Sequence, residues 1–319
     1  MELGQIGEFG AIGLFQELIA AHGKQAALQP EIGIGDDAAV WRPTTGRAAI
    51  ETTDLLIEEV HFSLRHMSWY DVGWKSMAVN VSDVAAMGGQ PGAAFVSAGL
   101  SPQMPLEDAR ELFRGVAECA AEYGVAILGG DTVAAPQAAV INVALYGETL
   151  DESGAVLRRD AARPGDAVGV SGPLGESAAY LRLQDDAFRA AHVHPLPRVE
   201  LGQQLLRAGI RCGMDVSDGL LADLAKLCSA SGAAAQVQAV QVPQAPALAR
   251  LLPHDALELA LTGGEDYQLL ACGPEDMLRQ AGLAVVGSIT EGSGVTVLDA
   301  NGQELSFKTP GYDAFSGGP

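Results

Sequence analysis

One pattern recurs along this chain: an apolar run leads into Gly, Ser or Thr, and one or two acids follow at once. GIGDD supplies Asp36 and Asp37, ETTD supplies Asp54 behind Thr52 and Thr53, NVSD supplies Asp83, and ILGGD supplies Asp131. MDVSDG adds Asp215 and Asp218 around Ser217, and LTGGED adds Glu265 and Asp266. An acid closing a buried strand stands at the rim of a sheet, where sites are built, and small neighbours let backbone and ligand approach closely. Taken singly, each Asp reads as a turn former or helix N-cap, and Asp218 ahead of GLLADLAKL suits that role. Clustered, so many carboxylates would repel one another without a counter-ion. Hard divalent cations with oxygen ligands meet that need, Mg²⁺ above all, and the hydroxyls of Thr52, Thr53 and Ser217 suit the same ions. Spacing alone leaves open whether the acids converge.

The usual phosphate-binding and nucleophile motifs are missing. No GxxxxGK[ST] occurs, which excludes a P-loop. Gly33-Ile34-Gly35-Asp36-Asp37-Ala38 has the outline of a dinucleotide fingerprint, but two carboxylates where a pyrophosphate would lie argue against it. No GxSxG elbow is present. His192 and His194 in HVHPLP have the look of a metal pair, yet the Pro-rich setting reads as a solvated connector. Arg158, Arg159 and Arg163 read as surface charge, with one of them reaching a phosphate as the alternative.

The elements that must position these acids mix strands and helices. Ile12, Phe15, Leu18 and Ile19 fall at helical spacing within residues 7–23, WYDVGWKSMAVNVSDVAAMGG reads as a helix, and so does LEDARELFRGVAECAAEYG. AAFVSAGL, VAILGGD and AAVINVALYGET read as strands. A polar hinge over about 148–166 divides the chain into domains 1–150 and 151–319. The second half expects a strand at AVGVSG, helices at GESAAYLRL and PRVELGQQLLRAG, and further strands in LELALTGGEDYQLLACG and LAVVGSITEGSGVTVLDANG. No repeat of 20–50 residues is visible. The expected fold class is α+β, in two domains of similar size.

Composition narrows the function. The 319 residues carry 19 Lys and Arg against 40 Asp and Glu, a net charge of −21, and no basic run. That balance excludes nucleic-acid binding as the main role and disfavours an anionic membrane. A phosphate ligand would need something other than Lys and Arg to neutralise it. At 48% hydrophobic residues the chain can bury a sizeable core. Its four cysteines show no CxxC spacing, so a zinc ribbon, a thioredoxin-type site and a disulfide framework are unsupported. MELGQIGEFG has neither a basic n-region nor an apolar h-region, and no apolar run reaches the roughly 18 residues of a membrane helix. A cytoplasmic location is the expectation.

Taken in order, GIGDDAAV, ETTDLLIEEVHF, KSMAVNVSDVAAMGGQP, LGGDT, DVSDGL, LTGGEDYQLL and GYDAF resemble the thiamine-monophosphate kinase family, over the chain from Gly7 to Phe315. That family belongs to the aminoimidazole-ribonucleotide-synthetase-like (PurM-like) ATP-binding superfamily. The resemblance implies an N-terminal α/β domain that pairs in a homodimer, a C-terminal α+β domain, and ATP held between acids of both halves. It implies Asp37, Thr52, Thr53, Asp54, Asp83, Asp131, Asp215 and Asp218 as ligands of several Mg²⁺ ions. Gly130, Asp131, Arg159 and Ser217 match ATP contacts, and His61, Glu265 and Tyr312 match positions that hold thiamine phosphate. FKTPGYDAF departs from relatives at Thr309 and Ala314, where Trp and His can stand, so Tyr312 is the loosest of these matches.

The chemistry so implied needs no general base, because a phosphate monoester with a second pKa near 6 is already ionised near neutrality. Rival readings are another ATP-dependent synthetase of the superfamily, a two-metal phosphatase with water as attacker, or a Ca²⁺-binding protein without turnover. A selenophosphate synthetase would want a Cys near the start, whereas the first here is Cys119. The Ca²⁺ reading lacks a regular D-x-D-x-D-G loop.

Overall fold

The computed structural model describes residues 1–22, 28–34 and 38–312, with the side chains of Glu8 and Phe9 left aside. The chain forms two compact units, Met1–Val84 with Gln90–Gly154, and Ala85–Gly89 with Ala155–Pro319.

The N-terminal unit runs α1 (Leu3–His22, broken at Gly7), β1 (Ala49–Ile57), α2 (Trp69–Ala86), β2 (Gln90–Leu100), α3 (Leu106–Glu122), β3 (Ala126–Ala134) and β4 (Val140–Glu148). The strands form one sheet in the order β1-β4-β2-β3, parallel only between β2 and β3. Helix α3 is amphipathic: Leu112, Phe113, Val116 and Ala120 are buried while Glu111 and Arg114 pair on its outer side. Helix α2 is buried nearly all round, with Val72, Met77, Val81 and Val84 fully enclosed. The two helices cross backbone to backbone. A Cβ at Gly73 would lie 2.0 Å from the Leu112 carbonyl oxygen, and one at Gly115 would lie 2.1 Å from that of Tyr70.

The sheet has two unlike faces. Ile50, Thr52, Asp54 and Leu56 share a face with buried Ile141, Val143, Leu145, Ala94 and Val96. On the other face Trp41 meets Phe95 and Tyr146, with ring centroids 6.0 and 5.9 Å apart. Farther along that second face Leu55 and Val133 are exposed.

The C-terminal unit runs β5 (Ala167–Val170), α4 (Glu176–Leu183), α5 (Asp186–Val193), α6 (Val199–Arg207), β6 (Cys212–Val216), α7 (Leu220–Ser231), β7 (Ala234–Gln238), α8 (Pro246–Leu251), α9 (Ala256–Thr262), β8 (Gln268–Gly273), α10 (Glu275–Gln280), β9 (Ala284–Thr290), β10 (Gly294–Leu298) and β11 (Glu304–Leu305). Its seven-stranded sheet has the order β11-β10-β7-β9-β5-β8-β6. Strands β5 and β8 lie inside it and are buried at every residue. Leu220, Leu224, Leu227 and Cys228 form the stripe by which α7 joins the core, and Gly232 ends that helix in the left-handed conformation.

Two expectations are corrected here. LELALT is helical in α9, because Ala256, Ala260 and Leu261 bury one helix face. HVHPLP begins as the end of α5, and His192 is 2% exposed rather than solvated. All four cysteines are free and buried, Cys119 in the N-terminal unit and Cys212, Cys228 and Cys272 in the C-terminal one. No helix among the described residues is long and apolar enough to cross a membrane.

Candidate active site

In the N-terminal unit, β1 and α2 bring two of the expected ligands together. Thr52 donates its hydroxyl hydrogen to Asp83 Oδ2 at 2.5 Å. Asp54, two residues on, lies on the same helix-covered face. Thr53 points to the opposite face, where its Oγ1 accepts from Asn142 Nδ2 at 2.8 Å. Asn142 also donates to the Asp54 carbonyl oxygen at 3.0 Å. Asp131 belongs to this second group: Leu55, Asn142, Ser97 and Asp131 form one cross-strand row, and Asp131 is exposed on it. Among the described residues, the expected ligands of this unit therefore fall into two sets on opposite faces. Gly130 stands where β3 presses on β2; a Cβ there would lie 1.7 Å from the Val96 carbonyl oxygen. His61 closes the turn after β1, its Nδ1 accepting from the Ile57 N–H at 3.1 Å. Asp36 and Asp37 lie outside the described residues.

In the C-terminal unit, the loop after β6 gathers four expected site residues. Ser217 and Asp218 give their carbonyl oxygens to the N–H groups of Glu265 and Tyr312, at 2.7 and 2.9 Å. Glycines make this clamp possible. A Cβ at Gly264 would lie 2.7 Å from the Ser217 oxygen, and one at Gly311 would lie 2.3 Å from that of Asp218. Glu265 and Tyr267 take left-handed backbone at φ 64° and 49°, so the turn is strained on both sides of Asp266. Asp215 is buried on β6. Arg159 is exposed, and its carbonyl oxygen accepts from Ser231 Oγ at 2.8 Å.

Several residues around this loop carry weight that the motifs alone did not assign. Asp223 on α7 is fully buried, and its Oδ2 accepts from the N–H groups of both Ser217 and Asp218 at 2.9 Å. Burial pushes the Asp223 carboxyl up, against the pull of Lys226. Lys226 donates to Asp218 and, at 2.8 Å, to Asp223 Oδ1. Burial works to lower the Lys226 pKa, but the bonds to the two carboxylates outweigh it and carry it above the ordinary lysine value. His192 Nδ1 lies 2.9 Å from Ser177 Oγ and 3.5 Å from Glu265 Oε2. Asp266 accepts from the N–H groups of Gly175 and Ser177 at 2.7 and 3.5 Å. Burial, aided by Glu176, pushes the Asp266 carboxyl up to about 7 despite those bonds. A signal for Asp223 stands in the sequence, an acid within the first helical turns after SDG, where a carboxylate can fold back on the loop amides.

The donor chemistry fits a hard divalent cation in both units. Thr52 with Asp83 offers oxygen alone, and Asp218 already holds a cationic group, the Lys226 ammonium. Among the described residues no three His, Cys, Asp or Glu side chains form a ready metal cage. Ions bound here would take part of their coordination from phosphate and water, as Mg²⁺ commonly does.

The chain is similar to known proteins over most of its length. The models of AIR synthase related protein match in sequence order, the N-terminal domain over residues 35–149 and the C-terminal domain over 163–300. The thiamine-monophosphate kinase of Aquifex aeolicus is 34% identical over 311 residues, covering 93% of this chain and 96% of its own. That of Methanopyrus kandleri is 35% identical over 280 residues, covering 84% and 87%. The chain belongs to the thiamine-monophosphate kinase family. Among solved members of the thiamine-monophosphate kinase family, the enzyme of Stenotrophomonas maltophilia K279a superposes with a TM-score of 0.81 at 34% identity, over 92% of this chain and 97% of that one. AaThiL complexed with AMPPCP and TMP superposes with a TM-score of 0.76 at 30% identity, over 98% and 99%. The hydrogenase maturation protein HypE in complex with ATP, at 22% identity and a TM-score of 0.75, shares the fold.

Proposed function

We propose that this chain transfers a phosphoryl group from ATP to thiamine monophosphate, giving thiamine diphosphate by direct in-line displacement. The observation that carries this reading is the full-length likeness to AaThiL complexed with AMPPCP and TMP. The acceptor is a phosphate monoester, ionised near neutrality, so no side chain has to remove a proton from it. The barrier is electrostatic, since two polyanions must meet on a protein of net charge −21. Asp37, Thr52, Thr53, Asp54, Asp83, Asp131, Asp215 and Asp218 are the residues that would hold several Mg²⁺ ions. Bound there, Mg²⁺ supplies charge neutralisation to the phosphates and orientation for the displacement.

The other roles fall to groups already placed. Gly130, Asp131, Arg159 and Ser217 contact ATP, with Gly130 leaving backbone accessible beside Asp131. His61, Glu265 and Tyr312 contact thiamine monophosphate, and the Glu265 carboxylate suits its cationic thiazolium ring. The clamp of Ser217 and Asp218 on Glu265 and Tyr312 supports this division, because it holds an ATP contact and a metal ligand against two substrate contacts. The N-terminal unit carries ATP and metal binding together with dimerisation. The exposed Leu55 and Val133 on the open sheet face support a second copy of this chain as the partner in a homodimer. The protein acts in the cytoplasm.

An ATP- and Mg²⁺-dependent assay with thiamine monophosphate, following thiamine diphosphate by chromatography, tests the reading. Product from the wild type that disappears in both Asp83→Asn and Asp218→Asn supports it. A wild type that binds ATP and makes no thiamine diphosphate overturns the choice of substrate.

A further inference from the structure

Lys226 divides its ammonium between two unlike carboxylates. Asp223 is wholly enclosed, with Oδ1 on Lys226 and Oδ2 on two backbone N–H groups, so its place is fixed. The Asp218 side chain is 31% exposed and that of Lys226 is 43% exposed, so this second bond stands open to water. A half-exposed ion pair contributes little, about 0–1 kcal/mol, and exchanges readily. Asp218 is also the residue that the proposed function makes a metal ligand, and the inference rests on that reading.

We propose that Lys226 is a resident counter-ion that competes with the divalent cation for Asp218. Without metal, the ammonium holds the carboxylate and offsets its charge. When a divalent cation takes Asp218, Lys226 keeps its buried bond to Asp223 and is not left without a partner. The arrangement lowers the affinity of the site for metal alone, so that loading favours metal arriving with nucleotide, whose phosphates bring further ligands. Lys226 is thus a positioning residue: it acts on the metal through Asp218.

Binding of Mn²⁺ alone, read from the free-ion electron paramagnetic resonance signal, tests this on the intact protein. Lys226→Met is expected to tighten Mn²⁺ binding roughly two- to fivefold, the range set by a half-exposed ion pair. Lys226→Gln, which keeps a donor for Asp223, is expected to shift it the same way and serves if the Met variant fails to fold. Asp218→Asn weakens Mn²⁺ binding, and in that background Lys226→Gln has no further effect, because competition acts only through Asp218. Unchanged affinity in the Lys226 variants overturns the proposal. So does equal tightening with and without Asp218, which would mark a general charge effect. Wild-type Mn²⁺ affinity in Asp218→Asn would instead overturn the assignment of Asp218 as a metal ligand.

Discussion

The Thr52 hydroxyl is bonded to Asp83 at 2.5 Å, tying β1 to α2 within the N-terminal unit. The bond fixes one carboxylate oxygen of Asp83 relative to the sheet. Thr52→Val keeps the side-chain volume and removes the donor, so it is expected to cost about 1.5–3 kcal/mol in urea denaturation, the range for hydrogen bonds to a charged group. The Mg²⁺ concentration for half-maximal activity should rise with it, and Thr52→Ser should restore both. A Val variant with wild-type stability and Mg²⁺ response would remove Thr52 from the site.

Gly130 should tolerate no side chain. The carbonyl that an added methyl would strike, on Val96, is backbone in a paired strand and cannot swing aside. Gly130→Ala is expected to destabilise by about 1–3 kcal/mol, with loss of ATP binding beside Asp131. Gly13 in α1 meets nothing within 4 Å of an added Cβ. Gly13→Ala should therefore stabilise by about 0.5–1 kcal/mol. Thermal melts of the two variants side by side check the contrast.

Asp223→Ala would strip the acceptor from the Ser217 and Asp218 amides and the buried partner from Lys226. Lys226 is half-exposed and keeps Asp218, so the cost is that of leaving the loop amides unpaired, about 1–3 kcal/mol, measurable as a drop in the urea midpoint. Asp223→Asn keeps an oxygen for the amides and should lose less. Equal stability of the Ala variant and the wild type would show that the loop does not depend on this carboxylate.

Stability should also carry the signature of Asp266. With its folded pKa raised to about 7, the folded protein holds a proton there that the unfolded chain has released. Between about pH 4 and pH 7 this group makes stability fall as pH rises, by up to about 1.4 kcal/mol per pH unit, and above that window the contribution is gone. Asp266→Asn does not titrate, so the difference between wild type and variant, followed by denaturant melts from pH 4 to 8, should shrink on that slope and level off near pH 7. A difference independent of pH would place the Asp266 carboxyl at an ordinary value.

The acids stand out in the sequence because each follows an apolar run and small residues, but the structure sets Asp54 and Asp131 inside β1 and β3 and Asp83 inside α2 rather than at strand ends. Their grouping was not legible in the sequence. Thr52 and Thr53 are neighbours in ETTD, yet strand alternation sends them to opposite faces, one to Asp83 and the other to Asn142. The clamp on Glu265 and Tyr312 is made of backbone bonds between segments far apart in the chain, which no side-chain pattern announces. His192 was misread because HVHPLP has the composition of a loop, while its burial comes from packing beside Tyr180 and Ser177. LELALT was misread because a short apolar run fits strand and helix equally. The polar hinge over about 148–166 suggests a division from composition alone, whereas the placing of Ala85–Gly89 with the C-terminal unit rests on tertiary packing that composition does not carry.

The four enclosed thiols give the molecule a built-in clock for its own opening. Only a thiolate exposed to solvent is alkylated; burial holds Cys119 well above the ordinary thiol range and Cys228 at about 11, and the bond with Cys212, aided by burial, holds Cys272 well above that range. Labelling under native conditions must therefore wait for local or global unfolding. Cys119 lies within one unit and Cys212, Cys228 and Cys272 within the other. Alkylated peptides counted by mass against time would thus follow the two halves separately, showing which one yields first and which one nucleotide or substrate holds shut.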